Sequence, residues 1–300
     1  MEPQGVRGRV VTGAPMKRYT SMKVGGPAPY LFYPEDAAGV AEAVGWLAKK
    51  KLPFRFLGKG TNVIVADRGI DMGIIRTTGM GHLRFRTTVG GALCDAGAGL
   101  PLKRLIAAAA ARGLSGLEKL YGIPGTVGGA IKMNAGSFGA AVSDCLVSVV
   151  CVDEKGKVRT MQAGEITFGY RRSSIRETEC IVGATFRLAS GDRAAIEAEM
   201  DDLWRQRLEK HPMDLPSAGS VFKNKSGAPA WTYIDRAGLR GFTAGRACVS
   251  AKHPNFIVNL GGATASDVLR LIETVKKGVR ETTGIELEEE VELWGFDGDA

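Results

Sequence analysis

The stretch Y-G-I-P-G-T-V-G-G-A-I-K-M-N-A-G-S-F-G, residues 121–139, is the part of the sequence that decides the fold. It is rich in glycine and contains no carboxylate. Because glycine adopts positive φ without steric cost and lets another group approach the backbone, such a run is typical of a loop that presents its amides to a ligand. The alternative is an ordinary glycine-rich connector, since surface connections tolerate such sequences without a ligand.

A second glycine motif, G-K-G-T-N at residues 58–62, lies between two predicted strands at 53–57 and 63–66. A strand that ends in this motif places backbone amides and short polar side chains at its tip, where they can hold a pyrophosphate. The motif is neither the G-x-x-x-x-G-K-[ST] phosphate loop nor the G-x-G-x-x-G turn that opens a helix. The P-loop and Rossmann folds are therefore set aside.

Apolar periodicity and turn residues predict the remaining elements. Helices are predicted at 35–50 with Asp36 as cap, 101–112, 193–210, 229–238 and 265–283 with Ser266 as cap, and strands at 73–76, 83–88, 91–96, 146–152, 157–162, 166–170, 181–188 and 285–296, with a hairpin at 241–260. Residues 19–29 are expected to be irregular. Helices and short strands without steady βαβ alternation favour an α+β fold.

The composition is that of a soluble globular protein, with 44% hydrophobic and 24% charged residues. A chain of 300 residues exceeds a comfortable single core, so two or three subdomains are expected. The formal net charge of +8 could indicate nucleic acid, a membrane surface or an anionic small molecule. Because the basic residues are scattered, with one run at 49–51, a cleft for a phosphate-bearing ligand is favoured over a nucleic-acid groove.

The cysteines and histidines give no sign of a metal site. The five cysteines form no C-x-x-C pair, and the three histidines have no metal-ligand spacing. Reduced, buried thiols in a cytoplasmic protein are expected. No apolar run approaches the ~20 residues of a membrane helix, and the first residues lack a signal-peptide core. Residues 1–16 are expected to be a loose tail.

Two local patterns allow other chemistry. Ser220-Val-Phe-Lys223 fits the S-x-x-K of penicillin-recognising acylases, although no S-D-N or K-T-G follows it. The acidic run at 288–290 is typical of a solvated strand edge.

Several motifs in the chain occur in the order in which a known enzyme family has them. They are G-K-G-T-N (58–62), G-I-P-G-T-V-G-G-A-I-K-M-N-A-G-S-F-G (122–139), F-G-Y-R-R-S (168–173), P-S-A-G-S-V-F-K-N (216–224), V-S-A-K-H-P-N-F-I-V-N (249–259) and L-E-E-E-V (287–291). The chain resembles the UDP-N-acetylenolpyruvoylglucosamine reductases, flavoenzymes of bacterial peptidoglycan synthesis, from Tyr19 to Phe296. Ordered motifs over this length make coincidence implausible, because their separate chance probabilities multiply. The short spacing from Arg171 to Ser220 resembles the short-loop (type II) subfamily.

The resemblance implies an α+β fold with a two-subdomain FAD-binding region of the vanillyl-alcohol-oxidase/p-cresol methylhydroxylase type and a C-terminal α+β substrate domain. The implied division is a tail at 1–16, FAD-binding subdomain 1 at 17–76, FAD-binding subdomain 2 at 77–192 and a substrate-binding domain at 193–300. The FAD-binding residues that it implies are Gly58, Gly60, Thr61, Asn62, Gly125, Thr126, Gly128, Gly129 and Asn134. At Gly128 in particular, the absent side chain is expected to let the flavin approach the backbone.

The resemblance also implies the reaction: reduction of UDP-N-acetylglucosamine enolpyruvate to UDP-N-acetylmuramate through bound FAD, with NADPH as the cosubstrate that donates hydride. Arg171 would supply a cation beside the substrate carboxylate, Ser220 a proton to C2, and Glu290 an acid near the developing enolate. Tyr170, Lys223 and Asn224 would contact the substrate. Charge repulsion from Glu288 and Glu289 would favour a protonated Glu290.

The implied enzyme is cytoplasmic, contributes to cell-wall formation, cell shape and division, and needs no metal, nucleic acid, membrane or obligate protein partner. The sequence departs from the family pattern at Glu289, where proline is usual, and at Lys225 and Arg246. Two rival functions stay open at this point. One is a flavin oxidase of the same fold that acts on another substrate, and the other is a basic nucleotide- or nucleic-acid-binding module without catalytic activity.

Overall fold

A computed structural model describes residue 3 and residues 5–225 and 227–296. The chain forms two compact units, each built from three segments. Unit 1 comprises the described residues of Met1–Thr12, Tyr30–Lys59 and Met72–Gln206, and unit 2 those of Gly13–Pro29, Gly60–Asp71 and Arg207–Ala300.

The described residues contain both helices and strands throughout, so the fold is α+β. The α-helices are α1 (Ala37–Lys49), α2 (Leu102–Ala110), α3 (Val127–Lys132), α4 (Arg193–Lys210), α5 (Ala230–Arg236) and α6 (Ala265–Thr283). The strands are β1 (Arg9–Pro15), β2 (Pro27–Tyr33), β3 (Phe54–Leu57), β4 (Val63–Val65), β5 (Gly73–Arg76), β6 (Leu83–Thr88), β7 (Gly91–Gly97), β8 (Leu114–Ser115), β9 (Gly136–Ser137), β10 (Ala140–Ala141), β11 (Leu146–Val152), β12 (Val158–Gln162), β13 (Phe168–Gly169), β14 (Arg172–Ser173), β15 (Cys180–Ser190), β16 (Ser217–Ser220), β17 (Thr243–Ala244), β18 (Ala247–Val249), β19 (Phe256–Asn259) and β20 (Glu292–Trp294). Short 3-10 turns occupy Met16–Arg18, Thr77–Gly79, Glu118–Leu120, Val142–Cys145 and Ala163–Glu165.

The smaller sheet of unit 1 has the strand order β1-β2-β5-β3, and β2 and β3 both pair in parallel with β5. The chain passes through α1 between β2 and β3. Leu47 of α1 is buried in one apolar cluster with Phe32 and Ile75 of the sheet. The helix begins where the sequence predicts, because Asp36 Oδ1 accepts a hydrogen bond of 2.8 Å from the N–H of Gly39. This strand–helix–strand arrangement leads directly into the G-K-G-T-N motif.

The larger sheet of unit 1 is antiparallel, with the order β12-β11-β15-β7-β6 and β8 paired to β15. Its core joins Phe186 of β15 with Leu105 of α2 and Ile131 of α3. The start of the glycine-rich stretch is anchored by Lys103, whose Nζ lies 4.9 Å from the ring centroid of Tyr121 and 4.1 Å from that of Trp204 in α4. Such cation–π contacts contribute about 0.5–1 kcal/mol each at exposed sites.

Unit 2 is built on the antiparallel sheet β16-β19-β18-β17, against which α5 and α6 pack. Ile234, Leu271 and Ile257 are all buried in its core. A separate ladder pairs β20 in parallel with β4, the strand that follows the G-K-G-T-N motif. The end of that motif is thereby joined to the last strand of the chain.

The prediction of a loose tail at residues 1–16 is wrong for the second half of that segment. Residues 9–15 form β1, an edge strand of the smaller sheet, and Ala14 and Met16 are completely buried. Residues 1, 2 and 4 lie outside the described residues. The basic, glycine-rich composition of this segment hid the strand, because its apolar residues pair with a sheet that the local sequence does not reveal.

Other elements differ from the predicted ones in position or extent. The region expected to be irregular contains the start of β2, and the final strand is shorter than predicted, at Glu292–Trp294. The cap of α6 is Thr264, whose side chain accepts a hydrogen bond of 3.0 Å from the N–H of Asp267. The hydroxyl of Ser266, the predicted cap, instead donates to Asp67 at 2.8 Å. The helix thus begins two residues earlier than a Ser266 cap would place it, because Thr264 and Asp267 form a capping box.

The units also differ from the predicted domain boundaries. Residues 17–29 and 60–71, assigned by the sequence to a first FAD-binding subdomain, belong to unit 2. The junction between unit 1 and unit 2 in the C-terminal half follows Gln206, inside α4, rather than residue 193. The boundary at residue 193 was placed where a charged amphipathic helix begins in the sequence. Compact units are instead defined by contacts between distant segments.

All five cysteines are thiols, of which Cys94, Cys151 and Cys180 are buried. Burial is the main cause that raises the pKa of Cys94 and Cys151 to about 12, so both thiols are protonated and unreactive at neutral pH. Across the described ranges, no histidine, cysteine and carboxylate side chains gather into a group able to hold a metal ion. None of the helices in those ranges has the length and apolar character needed to span a membrane.

Candidate active site

The two glycine motifs meet in unit 1 at Gly58 and Thr126. Gly58 directly follows β3, and Thr126 is the cap of α3, where its Oγ1 accepts from the N–H of Gly129 at 3.5 Å. A Cβ placed on Gly58 would lie 2.5 Å from Thr126 Oγ1, which is closer than real Cβ atoms approach. Gly58 therefore permits the close contact of the two loops. A short helix inside the glycine-rich stretch was not predicted, and its threonine cap is the signal that could have shown it.

Gly128 and Gly129 of α3 face different surroundings. A Cβ on Gly128 would lie 2.9 Å from Cβ of Ala98, and the N–H of Gly128 donates to the carbonyl of Ala98 at 2.8 Å. Glycine at position 128 therefore leaves room for the segment after β7, and the FAD-binding role of Gly128 stays a prediction. Gly129 is exposed, and a Cβ on it would make only an ordinary contact of 3.6 Å with Thr126 Oγ1, so its face is open. Gly125 precedes the cap with a φ of 139°.

Asn134, near the end of the same stretch, carries an unsatisfied acceptor. Its Nδ2 donates to the carbonyl of Gly169 at 3.2 Å, but its buried Oδ1 has no hydrogen-bond partner among the described residues. Its φ is 41°, in the left-handed region that asparagine tolerates better than most residues. A buried polar atom left without a partner costs about 1–3 kcal/mol. The Oδ1 atom is therefore suited to an N–H group of a bound ligand.

Arg171 occupies the turn of a two-stranded hairpin formed by β13 and β14, in which Gly169 pairs with Arg172. Its φ is 56°, a conformation that costs a non-glycine residue of the order of 1 kcal/mol and that recurs at functional sites. Its Nη1 donates to the carbonyl of Gly136 at 3.2 Å, and its Cζ lies 5.2 Å from the ring centroid of Tyr170. The hairpin and the glycine-rich stretch are thus joined by hydrogen bonds from Arg171 and from Asn134.

The second half of the G-K-G-T-N motif lies in unit 2. Gly60 has a φ of 67°, and a Cβ there would lie 2.3 Å from the carbonyl oxygen of Tyr19. Thr61 is half-buried, and its carbonyl lies 3.9 Å from a Cβ position on Gly219. Asn62 Nδ2 donates to the backbone carbonyl of Glu290 at 2.9 Å. The side chain of Asn62 therefore holds the backbone of a predicted catalytic residue.

Ser220 and Glu290 are brought together in unit 2, although 70 positions separate them in the sequence. Ser220 ends β16, opposite Phe256 of β19. On the other side of this segment, the N–H of Glu290 donates to the carbonyl of Val221 at 2.7 Å. A backbone hydrogen bond thus joins Glu290 to the residue next to Ser220.

The carboxylates beside Glu290 are each paired with a lysine. Glu288 forms an ion pair with Lys223, and the hydrogen bond and charge of this lysine lower the pKa of Glu288. Glu289 lies 2.7 Å from Nζ of Lys276. Because both neighbouring charges are balanced, they do not provide the repulsion that the sequence suggested for Glu290.

Lys223 and Asn224, the predicted substrate contacts in unit 2, both have protein partners. The Nζ group of Lys223 is held in an ion pair by Glu288. Asn224 Oδ1 accepts from the N–H of Ala230, the first residue of α5, at 3.0 Å. Both side chains are thereby fixed in orientation.

The structure places the predicted site residues in both units. Unit 1 contains Gly58, Gly125, Thr126, Gly128, Gly129, Asn134, Tyr170 and Arg171, and unit 2 contains Gly60, Thr61, Asn62, Ser220, Lys223, Asn224 and Glu290. The sequence reasoning gave no role to Asn255, which bonds to the segment after Ser220. Asn255 follows a proline and precedes an apolar run inside the motif at 249–259. This position could have indicated a structural role for it.

The comparisons with known proteins first define the class. Residues 28–162 match the family described as FAD binding domain, and residues 211–294 match the one described as UDP-N-acetylenolpyruvoylglucosamine reductase, C-terminal domain. The chain is thus an FAD-binding protein of the oxidoreductase class with a C-terminal domain, and the predicted α+β fold class is confirmed.

Full-length relatives then define the family. The UDP-N-acetylenolpyruvoylglucosamine reductase of Syntrophus aciditrophicus is 40% identical, with 98% of this chain and 94% of the relative covered. That of Azorhizobium caulinodans is 40% identical, with 97% and 93% covered. The crystal structure of the Thermus caldophilus reductase has a TM-score of 0.80 and 35% identity, and covers 96% of this chain and 99% of that one. The chain belongs to the UDP-N-acetylenolpyruvoylglucosamine reductase family, as the motifs indicated.

Proposed function

We propose that this protein is an NADPH-dependent FAD enzyme that reduces UDP-N-acetylglucosamine enolpyruvate to UDP-N-acetylmuramate for peptidoglycan synthesis in the cytoplasm. Membership of the reductase family over nearly the whole chain supports the reaction. The observation that carries the assignment of residues is the hydrogen bond from the N–H of Glu290 to the carbonyl of Val221. It brings a hydroxyl-bearing and a carboxyl-bearing residue of the expected types to the same place in unit 2.

The residues of unit 1 fit a flavin. Gly58 and Thr126 form a loop contact too close for a larger residue, Gly125 precedes Thr126 with a φ of 139°, and Gly129 leaves its backbone exposed. The unpartnered Oδ1 of Asn134 suits the N–H group that a flavin ring carries between its carbonyls. These residues would hold the FAD, and Gly60, Thr61 and Asn62 are proposed as further FAD-binding residues. FAD bound there would supply the transfer of hydride from NADPH to C3 of the enolpyruvyl group.

Arg171 is proposed to bind the carboxylate of the enolpyruvyl group. That carboxylate is conjugated with the C=C bond, so addition of hydride at C3 moves negative charge toward C2 and the carboxylate. A guanidinium group stabilises this charge because its planar fork matches a carboxylate. The hydrogen bond to Gly136 and the turn conformation at Arg171 limit the positions that its side chain adopts.

Ser220 is proposed to donate the proton that C2 receives, and Glu290 to act as the acid near the developing enolate. A serine hydroxyl is a weak acid in water, so it must be aligned to be effective. The backbone of this segment is held on one side by β19 and on the other by Glu290 itself. Tyr170, Lys223 and Asn224 are proposed to contact the nucleotide sugar, whose phosphates suit the positive net charge of the chain.

The test separates the two halves of the catalytic cycle. In anaerobic stopped-flow experiments, Ser220→Ala should leave reduction of the flavin by NADPH within about twofold of wild type. Reoxidation by the enolpyruvyl sugar should slow by at least ~10²-fold, the scale of a lost general acid. Ser217→Ala, in the same strand, is the matched control and should change neither rate. Equal losses in both half-reactions would contradict the role of Ser220.

The absorption spectrum of the purified wild-type protein tests the proposal at a coarser level. Flavin bands and NADPH oxidation coupled to the enolpyruvyl sugar are expected. Oxygen consumption with an alcohol, without that coupled reaction, would point to an oxidase. A colourless protein that does not take up FAD would overturn the proposed function altogether.

A further inference from the structure

Asn255 is a buried amide whose side chain bonds to the segment that follows Ser220. The residue is 3% exposed. Its Oδ1 accepts from the N–H of Phe222 at 2.9 Å, and its Nδ2 donates to the carbonyl of Phe222 at 2.9 Å. Because a peptide N–H only donates and a carbonyl only accepts, these partners fix the orientation of the amide. The backbone carbonyl of Asn255 also accepts from the N–H of Val221 at 2.8 Å.

The side chain of Asn255 replaces a missing part of the sheet. Ser220 lies opposite Phe256 in the antiparallel pair of β16 and β19. Because β16 ends at Ser220 and β19 begins at Phe256, Phe222 lies beyond the end of this ladder. A buried peptide group without a partner would be costly, and the amide of Asn255 satisfies both polar atoms of Phe222. The strand pairing is thus extended beyond the point where the ladder ends.

The opposite edge of the same segment carries Glu290. The N–H of Lys223 donates to the carbonyl of Glu288 at 2.9 Å, and the N–H of Glu290 donates to the carbonyl of Val221 at 2.7 Å. Residues 221–223 therefore lie between Asn255 on one edge and residues 288–290 on the other. Any shift of this segment moves Ser220 relative to Glu290.

We infer that Asn255 is a positioning residue for protonation of the substrate at C2, because it holds the segment that joins Ser220 to Glu290. The inference rests on the proposed function. Asn255 acts through the backbone of Phe222 and does not touch the reacting atoms. A displacement of about 1 Å at a reacting group can slow a reaction by about 10²-fold. Reoxidation of the flavin by the enolpyruvyl sugar needs this alignment of Ser220. Reduction of the flavin by NADPH does not need it.

The experiment compares Asn255→Ala with Asn259→Ala in anaerobic stopped-flow measurements. Asn259 is a matched control: it is 4% exposed and lies in the same segment, but its side chain bonds to Met22, Gly261 and Ala263. Asn255→Ala should slow flavin reoxidation by the enolpyruvyl sugar by about 10-fold or more, with flavin reduction by NADPH within about twofold of wild type. Asn259→Ala should not separate the two rates. Equal rates of reoxidation in the two variants would overturn the inference.

Additional measurements keep the inference testable if alanine prevents folding. Asn255→Asp retains an acceptor for the N–H of Phe222 but loses the donor, so it should show the same selective loss in milder form. Hydrogen–deuterium exchange should show faster exchange in residues 220–223 of this variant. In a double-mutant cycle, Asn255→Asp should add little to Ser220→Ala, since both act on one step. Fully additive losses, or unchanged exchange at 220–223, would refute the positioning role.

These outcomes also distinguish the inference from the proposed function. If the wild-type protein does not reduce the enolpyruvyl sugar, the proposed function fails, whatever the exchange data show. If the wild type is active and Ser220→Ala loses only the oxidative half-reaction, while Asn255→Ala behaves like Asn259→Ala, the positioning role alone fails.

Discussion

The stability of unit 2 is expected to depend on pH through His211, the residue that follows α4. Its ring stacks on that of His253, with centroids 5.0 Å apart and 21° between the planes, and lies 5.2 Å from the ring of Phe256. Burial is the main cause that lowers the pKa of His211 from 6.5 to about 4. The positive charges of Arg207, His253 and Lys210 lower it further, and a hydrogen bond to the backbone of Arg207 opposes them. His211 is therefore neutral in the folded protein at pH 7.

His253 shifts in the same direction. Burial is the main cause that lowers its pKa, its own backbone hydrogen bond opposes this, and the charge of Arg240 adds to the lowering. Its Nδ1 accepts a hydrogen bond of 3.3 Å from the N–H of Asn255. A proton on Nδ1 would remove this acceptor. Acidification thus acts on the same loop that holds the segment after Ser220.

The magnitude follows from the difference between the folded and unfolded pKa values of His211. The folded value lies below the unfolded value of about 6.5, so the unfolded state takes up the proton first as the pH falls. The contribution of His211 to the free energy of unfolding is fully present above pH ~6.5 and is lost as the pH falls from ~6.5 to ~4. At about 1.4 kcal/mol per pH unit, lowering the pH from 7.5 to 5.0 should reduce the free energy of unfolding by roughly 2 kcal/mol.

The assay combines direct titration with unfolding. His211→Phe retains an aromatic ring beside His253 but cannot titrate, so urea unfolding of this variant should lose about 2 kcal/mol less than wild type between pH 7.5 and pH 5.0. His82→Phe, at an exposed position of unit 1, is the control and should keep the wild-type loss. The direct titration follows the NMR resonances of the histidine rings as the pH changes. The chain has three histidines, so these resonances can be assigned with the two variants. Titration of His211 near its ordinary value, or an unchanged loss in His211→Phe, would refute the reasoning.

Two substitutions test the site in other ways. Glu290→Gln should slow reoxidation of the flavin by the enolpyruvyl sugar by at least ~10²-fold, with the FAD content unchanged, because it removes a general acid and keeps the shape of the side chain. Reoxidation at the wild-type rate would show that Glu290 is only a surface carboxylate. Gly128→Val should lower both the melting temperature and the FAD content, since even its Cβ would lie 2.9 Å from that of Ala98, and overpacking of this kind costs about 1–3 kcal/mol. Gly45→Ala, in α1, is the control because nothing lies within 4 Å of the added Cβ, and equal FAD contents in the two variants would contradict the packing role of Gly128.

Elements with strong local signals could be predicted from the sequence almost to the residue. Helices predicted at 193–210 and 265–283 occur as Arg193–Lys210 and Ala265–Thr283. The start of α1 was found from the spacing of its apolar residues and from its aspartate cap. Helix periodicity and capping are properties of neighbouring residues, so the sequence displays them directly.

Strands and unit boundaries were harder to predict, because their partners are distant in the chain. β1 has little local signal and exists through its place in a sheet. The G-K-G-T-N motif looked like one loop of one subdomain, yet Gly58 belongs to unit 1 and Gly60 to unit 2. Contacts between remote segments decide such divisions, and no window of sequence contains them.

The sequence by itself determined the family, the α+β class and the residue types available for chemistry, because ordered motifs and periodic patterns are written along the chain. The tertiary structure decided what the residues of those motifs touch. Gly128 faces Ala98, Asn62 bonds to Glu290 across 228 positions, and Asn255 bonds to Phe222 across 33. Such partners are fixed when packed elements bring buried polar groups into contact, since each buried group must find a hydrogen bond wherever the fold provides one. The glycine-rich stretch was recognisable from its composition, but only folding showed which of its glycines face protein and which polar atom, Oδ1 of Asn134, has no hydrogen-bond partner among the described residues.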